Sequence, residues 1–287
     1  MTTRFLTKQA FGLLMLGSLL SGCINTVTPG TSLVPESEET QLAASPANIA
    51  SLTEVVQRNP NDPQAYNMRG SVLGLAGRQE EALTDFNKAI SIDPQYAQAY
   101  ANRALVYRQM NKLPQALDDY NKAIAIDANY AGAYLGRGIV YRQSKQALPA
   151  LQDFNKAIAI RPDTAEAYYN RGLLYQAQGQ HQYAIDDFST AVGLAMQQAE
   201  PLIARGLSYI AVNDFKAAAS DFDDAVELEP QNLQAWTSRG LAYERLGDKE
   251  KAAGSYARAM NIKQDYQPAR SGFTRVGGKE GQSYQTF

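Results

Sequence analysis

The chain has 287 residues, 45% hydrophobic and 20% charged, so most of it can bury a core and it does not read as disordered overall. A formal net charge of −2 and the lack of any Lys/Arg run exclude the basic footprint on which sequence-independent nucleic-acid binding rests. A single cysteine, Cys23, and a single histidine, His181, rule out an intramolecular disulfide and leave little material for a zinc site or a catalytic triad, so no metal, cofactor or catalytic residue is expected.

At the N-terminus, Arg4 and Lys8 precede a mostly apolar stretch at 11–20. That stretch is too short to cross a bilayer, which takes roughly 20 apolar residues, and it fits the h-region of a secretory signal peptide. Leu20-Ser21-Gly22-Cys23 follows at once. These four residues resemble the lipobox of bacterial lipoproteins: a branched apolar residue, two small residues, then cysteine. The resemblance implies that 1–22 is removed and that the Cys23 thiol carries acyl chains, palmitate among them. Each buried CH₂ contributes about 0.8 kcal/mol, and stable anchoring takes more than one chain. An ordinary secretory signal with a chance cysteine is the other reading. Ile24, where an aspartate would favour the inner membrane, implies the periplasmic face of the outer membrane in a cell with two membranes.

Residues 23–46 are rich in Thr, Ser, Pro and Glu and have no periodicity, as a flexible linker would. Such a linker has an r.m.s. reach of roughly 25 Å. Residues 49–57, ahead of Asn59-Pro60-Asn61-Asp62, read as a lone helix, and 47–62 as a degenerate capping unit.

From 63 to 266 the chain repeats every 34 residues, six times without insertion: 63–96, 97–130, 131–164, 165–198, 199–232 and 233–266. Counting positions from the start of each unit, position 20 is Ala82, Ala116, Ala150, Ala184, Ala218 and Ala252, and position 27 is Ala89, Ala123, Ala157, Ala191, Ala225 and Ala259. Position 24 is Phe86, Tyr120, Phe154, Phe188, Phe222 and Tyr256. Position 8 is Gly except for Ala104, and position 4 is aromatic except for Leu202. Positions 4, 8 and 11 share one face of a first helix (A); positions 20, 24 and 27 share one face of a second (B). Small residues let the axes approach and the aromatics fill the space between. Pro94, Pro162 and Pro230 at position 32 end helix B, and Gly77, Gly179 and Gly247 mark the turn between the helices. This pattern is similar to that of the tetratricopeptide repeat (TPR) family. The resemblance implies an all-α fold: a right-handed α-solenoid of six helix-turn-helix units, with a degenerate N-terminal helix and a short capping helix at 267–276. Solenoids need atypical ends to cover the last apolar face. Residues 277–287 read as a disordered tail.

Position 7 is arginine throughout: Arg69, Arg103, Arg137, Arg171, Arg205 and Arg239. Position 23 is Asp85, Asp119, Asp153, Asp187 and Asp221, then Ser255. The matched signs predict structural ion pairs between helices A and B rather than an anion-binding row, with a different partner for Arg239. Such pairs fix orientation more than they stabilise.

In the TPR family helix A lines a concave groove, which implies inward-facing positions 2, 5, 9, 12 and 13. The groove residues would be Leu105, Arg108, Leu135, Ile139, Arg142, Tyr169, Leu173, Ile203, Leu207 and Ile210. Tyr169 and Ile203 at position 5 are expected to be exposed. Position 9 could equally pack between neighbouring A helices. An exposed apolar stripe suits an extended peptide or a docked helix. Lys and Asn at positions 5 and 9, which clamp a C-terminal carboxylate in some TPR domains, are missing here. The expectation is a non-enzymatic, membrane-anchored scaffold that binds protein, in the manner of pilotins for pilus or secretion assembly or of adaptors for envelope proteases. A self-associating envelope protein and a peptidoglycan-acting enzyme are the alternatives. His181, at the start of a helix B, reads as a surface residue.

Overall fold

The computed structural model describes residues 42–279 and residue 284. Cys23, the predicted signal peptide and nearly all of the predicted linker lie outside the described residues, as does most of the predicted tail. The described residues form fourteen helices and no strand. They are α1 (Pro46–Arg58), α2 (Pro63–Leu75), α3 (Gln79–Ile92), α4 (Ala97–Gln109), α5 (Leu113–Ile126), α6 (Ala131–Gln143), α7 (Ala147–Ile160), α8 (Ala165–Ala177), α9 (His181–Leu194), α10 (Ala199–Ala211), α11 (Phe215–Leu228), α12 (Leu233–Leu246), α13 (Lys249–Ile262) and α14 (Gln267–Arg275). From α2 to α13 they are the A and B helices of six units, each A packed on its own B and each B on the next A.

Within a unit the packing is set by size. The position 20 and 27 alanines are fully buried, and the position 24 rings sit against them. A Cβ added to Gly138 would lie 2.7 Å from the Phe154 ring edge, and one on Gly206 2.8 Å from that of Phe222. Only glycine allows that approach without shifting the ring. Protein interiors are packed too densely to absorb an extra methyl without cost.

The turn between A and B repeats one backbone device. Position 15 is left-handed in every unit: Gly77, Gly179 and Gly247 at φ 72–84°, but also Asn111, Lys145 and Asn213 at φ 57–63°. Glycine enters this region freely and asparagine at small cost, whereas lysine is strained there. Several helix starts carry a side-chain cap: Asp62 Oδ1 accepts from Gln64 N at 2.9 Å, Asn232 Oδ1 from Ala235 N at 2.9 Å and Asp248 Oδ1 from Lys251 N at 3.0 Å, whereas Thr164 at the start of α8 makes none. The turn after helix B does not depend on proline. Asp127 Oδ1 accepts from Asn129 N at 2.9 Å beside Ala128, just as Asp93 Oδ1 accepts from Gln95 N beside Pro94.

Both ends of the array are covered. Leu52 and Val56 of α1 are buried on α2, and Ala269, Phe273 and Val276 close the far end against α12 and α13. Arg275 Nε and Nη2 donate to Glu244 at 2.8 Å each and so fasten the last helix to α12.

Candidate protein-binding groove

The arginines at position 7 each tie three helices together. In the first five units the guanidinium makes a two-pronged bond to the aspartate of its own helix B, with N–O distances of 2.7–2.9 Å. The aspartates are buried. The third nitrogen, Nη1, reaches back to position 25 of the preceding helix B. Arg137 donates there to Asn121 Oδ1 at 2.7 Å, Arg171 to Asn155 at 2.7 Å and Arg205 to Ser189 Oγ at 3.1 Å. Arg69 reaches Thr53 of α1 in the same way at 3.5 Å, so α1 occupies the place of a helix B. Tyrosines at positions 4 and 11 flank the guanidinium; Arg103 lies 5.6 Å from the Tyr100 ring centre and 5.9 Å from that of Tyr107. These arginines are therefore satisfied inside the solenoid.

The other face of the A helices is different. Successive A helices touch one another, α4 with α6, α6 with α8 and α8 with α10, which sets them on the inner side of the stack. This close approach corrects part of the predicted groove. Leu135, Ile139 and Ile203 are buried, because neighbouring helices cover them: Leu135 and Ile139 pack with Phe154 and Leu174, and Ile203 joins the core around Phe222 and Trp236. Ile203 was expected to be exposed and is not. Tyr169 is half-buried, its ring 5.8 Å from that of Phe188. Leu173, Leu207 and Ile210 are half-buried and Leu105 is exposed.

Polar groups on this face are mostly spent on neighbours. Asn102 Nδ2 donates to Asn67 Oδ1 at 2.9 Å and to Ser71 Oγ at 3.1 Å. At position 12, Gln176 Nε2 donates to the Ala204 carbonyl and to Ser208 Oγ, both at 2.9 Å, and Glu244 holds Arg275 and Tyr256. Arg108 and Arg142 occupy the same position in α4 and α6 and form no ion pair among the described residues. In each, Nε is buried with no hydrogen-bond acceptor. Burial holds the Arg142 pKa below the usual guanidinium value; Arg108 adds to the depression and Tyr169 opposes it. The Tyr169 hydroxyl is pushed up to about 12 by burial, with Glu200 adding and Arg142 opposing.

Position 2 of the A helices, named among the inward positions but not read residue by residue, brings Glu166 and Glu200 to the same region. Glu166 is open to solvent but ringed by protein; that crowding pushes its carboxyl up against the pull of Arg108. Glu200 is half-buried with Oε2 unpartnered, and burial raises it as well. His181 is half-buried, with Nδ1 unpartnered. Among the described residues no cluster of His, Cys, Asp or Glu is arranged to hold a metal ion, and no helix is long and apolar enough to cross a membrane.

Comparison with known proteins agrees with this architecture. Profiles described as tetratricopeptide repeat match residues 165–195 and 203–267, and one described as TPR repeat matches 75–111, 104–145 and 149–179. The chain belongs to the tetratricopeptide repeat family. Among solved structures it resembles Cut9–Hcn1 of the APC/C, with TM-score 0.70 and 18% identity over 83% of this chain; it spans 47% of that chain, about half its length. It resembles PilF of Pseudomonas aeruginosa, with TM-score 0.69 and 20% identity over 76% of this chain and 99% of the other. It is also similar to YrrB, described as a TPR protein with an unusual peptide-binding site, with TM-score 0.57 and 27% identity over 65% of this chain and 96% of the other. No curated protein matches by sequence.

Proposed function

We propose that this chain is a membrane-tethered adaptor of the bacterial envelope that captures a partner protein on the inner face of its A helices and catalyses no reaction. The observation that carries this reading is the partly open apolar stripe of Leu105 on α4, Tyr169 and Leu173 on α8, and Leu207 and Ile210 on α10, beside Arg108 and Arg142, which form no ion pair among the described residues. Rigid backbone lined by apolar side chains and a few unspent polar groups favours an extended peptide or a docked helix. The likeness to YrrB supports the peptide reading. Tethering rests on Leu20-Ser21-Gly22-Cys23, whose thiol would carry the acyl chains and hold the solenoid at the periplasmic face of the outer membrane. Within that class, the reading of an anchored six-unit array supports a role in assembling a pilus or secretion complex, an analogy of architecture.

A photo-crosslinking amino acid at Leu105, with Lys156 on the outer face as control, tests the groove in cells. One protein captured at Leu105 alone supports the reading; capture only at Lys156, or only of a second copy of this chain, overturns it. Palmitate labelling that persists after Cys23→Ala removes the anchor from the proposal.

A further inference from the structure

The inner face carries a charge pattern that the apolar stripe alone does not explain. At position 12, the unit four and unit six residues are committed within the fold: Gln176 bridges to α10, and Glu244 is locked to Arg275. Arg108 and Arg142 hold the equivalent places on α4 and α6; Arg108 reaches the buried Tyr120 hydroxyl of its own unit, but neither arginine bridges to another A helix. Each buries Nε without an acceptor, and neither meets a carboxylate in an ion pair among the described residues. Leaving a charged donor buried and unpaired is costly, so such groups are normally neutralised. The two stand one unit apart on helices in direct contact, near enough for Arg108 to weigh against the positive charge of Arg142. Two like charges held together without an ion pair destabilise the empty site. An anion arriving at the terminal nitrogens of the two guanidinium groups relieves that repulsion, while the buried Nε atoms stay out of its reach.

We propose that Arg108 and Arg142 form a carboxylate-docking site that receives an aspartate or glutamate side chain of a partner peptide, while Leu105 and Leu173 take the apolar residues flanking that acid. The inference rests on the groove-binding reading and narrows it to an acidic partner segment. A carboxylate suits the site because a guanidinium presents planar paired donors that match two carboxylate oxygens. Glu166 faces Arg108 across the same space. It disfavours a multiply charged ligand such as a phosphate cluster and favours a single acidic side chain. Tyr169 and Glu200 continue the row beyond Arg142, so the local potential changes from positive to negative along the stack. An acidic residue placed at the arginines thereby fixes the direction in which the peptide lies.

The test is selection from a display library of random nine-residue peptides on the full chain in detergent micelles. It is run in parallel on Arg108→Met/Arg142→Met, which keeps the stems and removes the charge, and on Arg108→Lys/Arg142→Lys, which keeps the charge and removes the planar fork. A hydrogen bond to a charged group contributes a factor of about ten to a hundred in affinity. Peptides selected by the unaltered chain are expected to be enriched at least fivefold in Asp or Glu at one position. Enrichment disappears in the Met pair, while the apolar preference on either side persists, and it is reduced in the Lys pair. Selection without an acidic preference, or an undiminished preference in the Met pair, overturns the carboxylate site and leaves groove binding standing. Failure to select any peptide, both by the unaltered chain and by a chain with Glu36, Glu38 and Glu39 changed to Gln, overturns groove binding itself. Selection that appears only after Glu36, Glu38 and Glu39 are changed to Gln makes the chain's own acidic run the occupant and removes the separate partner. Circular dichroism on both pairs separates lost charge from lost folding: a Met pair that unfolds leaves the Lys pair to decide, and an undiminished acidic preference there overturns the fork-specific site.

Discussion

Arg239 Nε lies 2.6 Å from Oδ1 of Asp223, a residue of the preceding unit, and not beside an aspartate of its own helix B. The B helix of its own unit, α13, supplies Ser255, whose Oγ accepts from Nη1 at 2.8 Å. Asp223 stands at position 25, where the earlier units have Asn87, Asn121, Asn155 and Ser189. The carboxylate has moved from position 23 of one unit to position 25 of the unit before it, so each guanidinium keeps one negative partner. Asp223 also accepts from the Tyr243 hydroxyl at 2.7 Å.

Exchange of those two positions provides the first prediction. Asp223→Asn leaves the nearly fully buried Arg239 without a counter-charge and is expected to cost about 2–3 kcal/mol, below the usual figure for a broken buried pair because Asp223 is itself part-exposed. Adding Ser255→Asp restores the arrangement of the other five units and should recover most of that loss. Urea unfolding of the two single variants and the double variant measures the coupling; additive losses would mean that the carboxylate is not interchangeable between the two places.

Position 24 is coupled to the next unit in a similar way. Where it is tyrosine, Tyr120 and Tyr256, position 6 of the following unit is glycine, Gly136 and Gly272, and a Cβ on either would overlap the tyrosine ring. Where it is phenylalanine, position 6 is Asn102, Asn170, Ala204 or Ser238. Gly136→Ala is therefore expected to destabilise by about 1–3 kcal/mol through overpacking, with a smaller loss in the background of Tyr120→Phe. Equal losses in both backgrounds would break the link.

Lys145 holds the left-handed turn between α6 and α7 at φ 58°, a conformation that three other units give to glycine. Lys145→Gly removes the Cβ strain and partly offsets it with greater freedom of the unfolded chain. A net gain of up to about 1 kcal/mol is expected, read as a rise of one or two degrees in the thermal midpoint.

Glu200 gives a pH signature. Burial raises its carboxyl above the ordinary 4.5, its own backbone hydrogen bond opposes the shift and Glu229 adds to it. A raised carboxylate pKa means that the folded state holds the proton more tightly than the unfolded one. The charged form then costs stability once pH exceeds the unfolded value. Glu200→Gln should match the unaltered chain in stability near pH 4 and exceed it increasingly as pH rises through the folded pKa towards neutrality. A constant difference across that range would place the effect elsewhere.

Much of this solenoid was legible in the sequence because its determinants are local and repeated. A 34-residue period, alanine at positions 20 and 27, and aromatics at 4, 11 and 24 fix the helix pairs and the faces they bury, since each unit contacts only its neighbours. The paired signs at positions 7 and 23 likewise predicted contacts that depend on one helix pair alone. Even the left-handed turn was half visible: Gly77, Gly179 and Gly247 announced it, while Asn111, Lys145 and Asn213 adopt it under the constraint of the helices on either side. What needed the tertiary structure was everything decided between units. How closely one A helix approaches the next determines that Leu135, Ile139 and Ile203 are covered while Leu105 is not. The same approach spends Gln176 on α10 and leaves Arg108 and Arg142 without an ion pair among the described residues. Residue type is written in the period of the chain; which of two chemically equal arginines has a partner depends on distances that the period does not encode.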